Sequence, residues 1–462
     1  MIKKEKTFFS ILWAIAIIIM VVLLFSHTYN DIVITTRHGM NFWTILKNGD
    51  FLRFYQVNRL ESGNDVYNAV QGCAYNILVY LVFAIWNIPL ALLSAFTNID
   101  VMNNVFCLAY AKLLPVTAMI LSAFILQKII ALLGVPQKKQ HILVYLYLTS
   151  ALMISVIFIM SQYDILSLAF QLLGIYAFLK NQDRKFVFWF GIAFCFKYFS
   201  LVIFLPLLLL KQKKILPCLK SLGGMLLPVL ITKIPFVFAS GDASGALSGE
   251  KMSFEFMQNM LAYSNGYMNL FAIIYILILV WCYLRKYDGN EKLLHFDAVW
   301  ASFVSYTVFF GLCNAYPYWS ILLTPFVVLV IAISPEKFYL NLLLETFGLA
   351  GLMFTNMMKY TWCYFGNTMK PMIMSLFFDE VSFEGSIIYQ IISKLSPNYM
   401  VYSMSNSIFL AAMAALAYTA YPKRTALSLN KWNDQAGFYD ALIFRCGVVS
   451  VLCLLPVMSL FI

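Results

Sequence analysis

The chain has 462 residues, 62% of them hydrophobic and only 11% charged, against roughly 25% charged in a soluble domain. A soluble core of this length cannot hide so much apolar surface, because cores stop growing and split into domains; a soluble globular protein is excluded. The formal charge of +11 would suit a nucleic-acid binder, but the Lys and Arg residues stand in short clusters between apolar runs. That is the pattern of the positive-inside rule, so the expected partner is the lipid bilayer and not nucleic acid.

Lys3, Lys4 and Lys6 place the N-terminus in the cytoplasm. The apolar run 8–26 is longer than a signal-peptide core and lacks a small-x-small cleavage site, so it reads as a retained first span. It delivers His27 to the outside, where a stretch of mixed charge follows over 27–72 (Asp31, Arg37, Asp50, Arg53, Arg59, Glu61, Asp65). Two apolar runs, 73–96 and 104–133, come next, before the cluster Gln137-Lys138-Lys139-Gln140. Two full crossings would put that cluster outside. Trp86, Asn87 and Pro89 interrupt the first run, so 73–96 is expected to be interfacial or re-entrant, as covered backbone can be. The external segment then runs from 27 to 103, with juxtamembrane helices after the first span.

Spans are expected at 141–160, outward, and 165–180, inward, with Ser161-Gln162-Tyr163-Asp164 between them on the external side. The basic clusters 180–185 and 211–214 flank a single apolar run, 186–210. One plain crossing would strand a cluster outside, whereas a helical hairpin dipping in from the cytoplasm keeps both inside and puts Lys197 at its tip. Further spans are expected at about 215–239, 266–284, 297–313, 319–334, 338–358, 404–421 and 441–461, separated by Arg285, Lys286 and Lys292, by Lys337 and by Lys423-Arg424 on the inside. A second external loop covers 359–403. The expectation is an all-α polytopic membrane protein with about 11–13 transmembrane helices, forming a single membrane domain over 1–462.

The nine cysteines are scattered, mostly within apolar runs, with no C-x-x-C. They read as small hydrophobes; Cys73 and Cys363 are the one pair placed to bridge outside the membrane. An ionisable group at membrane depth costs a few kcal/mol or more, which makes each a functional candidate. Asp31, Asp164, Lys197 and Lys112 all fall at or near the outer face, and all could converge on one cavity. Apart from Lys197, Lys233 and Glu345, span interiors read as almost free of charge.

Three features together resemble the GT-C superfamily of polytopic glycosyltransferases. The first is an Asp soon after the first span, in Tyr29-Asn30-Asp31-Ile32, leading into Asn41-Phe42-Trp43-Thr44-Ile45-Leu46. The second is Ser161-Gln162-Tyr163-Asp164, a short span, a basic turn, then Lys197 and Leu205-Pro206. This is similar to the G-Q-x-D and G-L-x-x-K-P…L-P patterns of GPI-mannosyltransferase-like and related bacterial members. The third is Tyr316-Pro317-Tyr318-Trp319 leading to Thr324-Pro325-Phe326, similar to H-P-x-Y-x-L-W…P-F. Ser161 stands where that group has Gly, Tyr198 where it has the Pro after the Lys, and Asn314 or Ala315 where a His is common.

The resemblance implies a GT-C-like fold, with core catalytic-module helices over 104–239 and variable helices over 240–462. It implies a polyprenyl-phosphate sugar donor and transfer on the extracytoplasmic face to a glycan, lipid or protein acceptor. A hydroxyl is a poor nucleophile and needs a base within hydrogen-bond reach; Asp31 is the candidate. The leaving phosphate needs fixed cations, for which Lys197 and Lys112 stand at membrane level and Arg37 or Arg53 on the loop. Asp164, Gln162 and Tyr318 complete the candidate binding set. No cofactor is required, although His27, Asp31 and His38 leave room for a divalent ion. The alternative reading is a lipid-linked oligosaccharide flippase or polysaccharide polymerase, and a third is a non-catalytic assembly subunit. The long external segments favour the enzyme, and the lysine-rich N-terminus suits a bacterial plasma membrane.

Overall fold

The computed structural model describes residues 2–58, 73, 75–239, 268–366, 369–377, 385–422 and 437–460. Arg59, Glu61, Asp65, Asp379, Glu380, Glu384 and the Lys423-Arg424 pair lie outside the described residues. Among the described residues, seven helices are long and apolar enough to cross a bilayer, or nine if each of two bent pairs forms one span, and four shorter apolar helices join them. The chain is a multi-pass, all-α membrane protein. All nine cysteines are free, Cys73 and Cys363 included, so the bridge considered between them is not formed.

Helix α1 (Ile2–Ser26) ends where the apolar run ends. A three-residue strand β1 (His27–Tyr29) then leads into α2 (Asn30–Lys47). Antiparallel to β1 runs β2 (Met369–Pro371), in the register His27↔Pro371, Thr28↔Lys370, Tyr29↔Met369. This short ladder ties together the two segments expected on the external side. After the short α3 (Phe54–Val57), α4 (Ile77–Trp86) and α5 (Ile88–Phe96) meet at a 60° bend on Asn87, at the interruption seen in the sequence. Helix α2 lies directly on α4. A Cβ on Gly39 would come within 2.8 Å of the Phe83 backbone, so only glycine permits that approach.

Helix α6 (Val105–Leu132) is started by Asn104, whose side chain accepts from the backbone of Phe106 and Cys107, a standard cap for the orphan donors of a first turn. The expected span 141–160 is in fact α7 (Gln137–Leu148) and α8 (Ala151–Ile154) bent by 49°, the second ending in a π-turn, Ser155–Ile159. The bend has an identifiable cause. Arg445 donates from Nη2 to the Leu146 carbonyl and from Nη1 to Thr149 Oγ1, taking backbone and side-chain groups out of a straight helix.

The run 186–210 is the hairpin expected of it. Helices α9 (Ile165–Leu179) and α10 (Asp183–Phe196) pack closely, the chain breaks at Lys197, and α11 (Leu201–Lys211) returns. The return is shown at its base: Lys211 Nζ lies 3.2 Å from Asp183 Oδ1 and 2.8 Å from the Phe178 carbonyl. Farther in, the rings of Phe186 and Phe204 stack at 5.0 Å. The 14 residues of α10 rise about 21 Å, which sets Lys197 at the far end of the hairpin from Asp183 and Lys211.

The rest is α12 (Ile215–Ala239), α13 (Leu270–Leu284), α14 (Glu291–Leu312), α15 (Thr324–Ile333), α16 (Phe338–Lys359), the short amphipathic α17 (Ile387–Leu395), α18 (Tyr399–Thr419) and α19 (Phe438–Met458). Helix α14 begins six residues before its expected start because Asp297 does not mark a boundary. It is fully buried and takes a bidentate Arg285 at 2.6 and 2.9 Å, with the Tyr287 hydroxyl at 3.0 Å. The expectation of nearly uncharged span interiors also needs correction. Arg445, buried in α19, makes a bidentate pair with Glu345 at 2.8 and 2.9 Å. Buried charges persist when paired and hydrogen-bonded, and both of these are.

Candidate functional site

Asp31 sits in the first turn of α2, where the helix dipole favours an anion. Its Oδ2 accepts a hydrogen bond from Gln162 Nε2 at 2.9 Å. One turn along the same face of α2, Thr35 Oγ1 donates to the Tyr163 hydroxyl at 3.1 Å. Two neighbouring residues of the Ser161–Asp164 segment therefore grip two positions of α2. That segment can reach back because of the π-turn before it, closed by Met160 N to Ser155 O at 2.9 Å. Ser161 then takes a left-handed backbone, with φ 52°.

Lys197 occupies the extended break between α10 and α11, with φ −156° and ψ 121°. Its ammonium lies 2.9 Å from Asp164 Oδ1, and the side chains are 12% and 3% exposed. Aromatic faces surround it: Trp319 at 4.9 Å, Tyr318 at 5.8 Å, and Tyr75 and Phe199 at 5.9 Å to the ring centroids. Such faces attract a cation and hold the ammonium where water alone would not.

The two halves form one site. Asp31 acts electrostatically on Tyr29, Tyr75 and Tyr318, and Lys197 and Asp164 act on Asp31. Burial pushes the Asp31 carboxyl above the ordinary carboxylate range; the Gln162 hydrogen bond and Lys197 pull it back, and Asp164 raises it further. Burial likewise raises Asp164 against the pull of Lys197. Four polar atoms here, Ser161 Oγ, Asp164 Oδ2, Ser200 Oγ and Trp319 Nε1, are buried without a hydrogen-bond partner among the described residues. Buried polar groups are normally paired; of these four, Asp164 and Trp319 belong to side chains that meet Lys197.

Of the residues expected here, Asp31, Gln162, Asp164, Lys197 and Tyr318 come together. Lys112 does not join them as a binding residue. It is fully buried, and its ammonium donates to the carbonyls of Leu23, His27 and Phe158 at 3.0, 2.6 and 3.1 Å. Its three donors are filled, so nothing is left for a phosphate. What it does is structural: His27 is four residues before Asp31 and Phe158 four before Gln162, so Lys112 fixes the two strands of the site relative to each other. Arg37 is six residues past Asp31 on α2, well around the helix, and is not among the charges acting on Asp31. Arg53 pairs with Asp50 at the surface, 3.6 Å away.

The three residues considered for a divalent ion each have other surroundings. His27 is buried, kept neutral by burial and by Lys112, with Nδ1 2.8 Å from Ser26 Oγ. His38 meets Tyr80 edge-on, and Asp31 is held by Gln162. Among the described residues, no group of three or more His, Cys, Asp or Glu side chains could hold a metal.

Sequence reasoning missed the contribution of the second external segment. Tyr360, Trp362 and Cys363 reach the Asp31 side of the site: Cys363 shares a hydrogen bond with Tyr29 and acts electrostatically with Asp31, and Trp362 packs 6.2 Å from the Tyr29 ring. No spacing or motif in 359–403 signalled this; only the pairing of β1 with β2 does. Comparisons with protein-family models, with curated proteins and with solved structures give no match.

Proposed function

We propose that the chain is a glycosyltransferase, a hexosyltransferase of GT-C type, that moves a sugar from a polyprenyl-phosphate-linked donor to an acceptor hydroxyl on the extracytoplasmic face. The observation that carries this reading is the Gln162–Asp31 hydrogen bond beside the Lys197–Asp164 ion pair, each at 2.9 Å. Together they bring a carboxylate and an ammonium into one cluster bordered by aromatic rings.

The chemistry requires such a pair. The acceptor O–H gives its proton to Asp31 as its oxygen bonds to the anomeric carbon. The bond from that carbon to the phosphate oxygen breaks, and the phosphate leaves with the electron pair. A base works best when its pKa lies near the working pH, and burial moves Asp31 in that direction. Lys197 would meet the charge developing on the phosphate, at the depth where a lipid-linked phosphate lies, while Asp164 holds the ammonium in place beforehand. Charge fixed in position before the reaction commonly lowers a barrier more than any other single effect.

The departures from the GT-C patterns are easier to accommodate in this backbone than in the sequence alone. Ser161 has the positive φ that a glycine adopts freely. Lys197 has the extended conformation that a residue before proline prefers, although Tyr198 follows it. Asn314, near the position where a His is common, accepts the Tyr360 hydroxyl at 2.7 Å. About 11–13 crossings follow if the bent pairs and the short apolar helices are counted, with the N-terminus cytoplasmic and a bacterial plasma membrane as the setting. A flippase would line a central path with its charges, whereas here Arg445 pairs with Glu345 and Arg285 with Asp297.

The test is product release. Purified protein in nanodiscs is given polyprenyl-phosphate hexoses, and free polyprenyl phosphate is measured by mass spectrometry. Release by wild type and not by Lys197→Met supports the reading; no release from any hexose donor, with or without added acceptors, removes it.

A further inference from the structure

We propose that the second external segment carries a membrane contact of its own: helix α17 and the turn after β2 lie in the leaflet interface on the side of the Asp31 cluster, with their uncovered apolar side chains among lipids and not in water. This contact is separate from the spans and asks nothing of the chemistry at Asp31.

Two hydrogen bonds fix the level of the segment. One residue past β2, Met372 N donates at 2.9 Å to the carbonyl of Ser26, the last residue of α1. At the other end, Ser396 Oγ donates at 2.7 Å to the Met358 carbonyl, in the last turn of α16. Asn398 then caps α18, accepting from the backbone of Met400 and Val401. Helices α1, α16 and α18 are all candidate spans. The rings of Tyr29 and Trp362, 6.2 Å apart, follow the ends of α1 and α16 and put those ends on one side. The chain from 372 to 398 is therefore tied at both ends to the termini of spans, where hydrocarbon gives way to headgroups.

Helix α17 suits that level. Successive residues turn by about 100°, so Ile387, Ile391, Leu395, Ile388 and Ile392 fill one apolar arc of about 140°. Protein covers only part of it. Ile392 is 5% exposed and packs into the core with Ile388, whereas Ile387 and Ile391, one turn apart, are 57% and 53% exposed. Gln390 and Lys394, both exposed, border the open edge as a polar rim. Lys394 stands in the last turn, where its ammonium can snorkel to headgroup phosphates. In the turn after β2, Leu376 and Phe377 are 60% and 73% exposed.

Lipid is the occupant because it already reaches this level. Helix α18 opens three residues after α17 ends, with Met400, Met404 and Ile408 exposed at successive turns, a stripe of a span that lipid must cover. A helix with one apolar face, a polar rim and a flanking lysine lies in the plane of an interface. A partner protein would have to displace lipid from the mouth of α18 to sit on the same face.

The experiment is nitroxide accessibility on the full chain in nanodiscs of phosphatidylcholine and phosphatidylglycerol. Cys218→Ser and Cys446→Ser remove the two half-buried thiols and leave seven buried ones; this background, treated with label, gives the blank. Labels go singly onto Phe377→Cys, Ile387→Cys, Gln390→Cys and Ile391→Cys, all exposed positions, so each variant should melt as the background does. At Phe377, Ile387 and Ile391, collisions with oxygen, which concentrates in lipid, should exceed those with nickel-EDDA, which stays in water. At Gln390 the order should reverse. Nickel-EDDA ahead at Ile387 and Ile391 would show a water-facing loop, and low accessibility to both reagents there would show a protein cover, a second copy included. Oxygen ahead at Gln390 as well would show a helix sunk below the interface. Each of these results overturns the proposal, and none bears on whether the protein releases polyprenyl phosphate.

Discussion

Gln162 reaches across 131 positions of sequence to hold the Asp31 carboxylate, Nε2 to Oδ2 at 2.9 Å. The amide does more than orient the carboxylate. By donating to its charged form, it opposes the upward push that burial exerts on Asp31.

The pH dependence follows from that balance. Asp31 serves as a base only when ionised, so transfer should rise with pH through its elevated pKa and level off above it. Gln162→Leu removes a group that lowers this pKa, so the acid limb should move to higher pH. A limb that stays in place or moves to lower pH in Gln162→Leu would contradict the assigned contact.

Asp31→Asn should be folded and at least as stable as wild type near neutral pH. A folded-state pKa above the unfolded value means that ionised Asp31 is disfavoured in the fold: its contribution to stability is greatest when protonated, below the unfolded pKa, and is lost as pH rises through the folded pKa. An uncharged amide escapes that loss. Thermal unfolding at pH 7.5 checks it, and a substantially lower midpoint for Asp31→Asn would count against the burial argument.

Lys112→Met should destabilise the protein by about 2–6 kcal/mol, because the His27 and Phe158 carbonyls lose this donor at about 1–3 kcal/mol each, while the Leu23 carbonyl still accepts from Ser26 Oγ. The effect should appear in the unfolding midpoint of the unliganded protein. A variant that melts as wild type does, yet binds a phosphate-bearing donor poorly, would return Lys112 to a binding role.

Arg445→Met alone leaves Glu345 buried without its partner and should cost about 3–5 kcal/mol. Adding Glu345→Leu should recover most of the loss, since a buried pair replaced by apolar groups is often near neutral. Urea unfolding in detergent distinguishes this from two independent losses, in which the double variant is worse than either single one.

These residues also mark what could be read from the sequence. The hairpin at Lys197 was legible because two basic clusters flank one apolar run, and charge sidedness leaves few other solutions. The Asp31–Asp164–Lys197 grouping was legible for the same reason. Lys112 was misread because a lysine at the outer end of a run looks the same whether it faces a ligand or three carbonyls; that choice is made by the π-turn at Ser155–Ile159, which leaves no periodic signature. Arg445 went unnoticed inside an otherwise apolar span, since its partner lies 100 residues away. Trp362 belongs to a loop whose position depends on a three-residue strand pairing too short to announce itself.

Sidedness can be measured on its own. Cysteine introduced at Asp183 or Lys211 should react with an impermeant maleimide from one side of sealed vesicles, and cysteine at Trp362 from the other. Labelling of all three from one side would undo the hairpin and with it the depth of Lys197.

The most direct measurement is sugar transfer by Asp31→Asn beside wild type, on matched, folded protein in nanodiscs with polyprenyl-phosphate hexoses and a glycan acceptor. Loss of the base should lower kcat by about 10²- to 10⁴-fold, with donor binding retained. Transfer by Asp31→Asn at the wild-type rate would show that the carboxylate held by Gln162 takes no proton, and that the chemistry lies elsewhere in the protein.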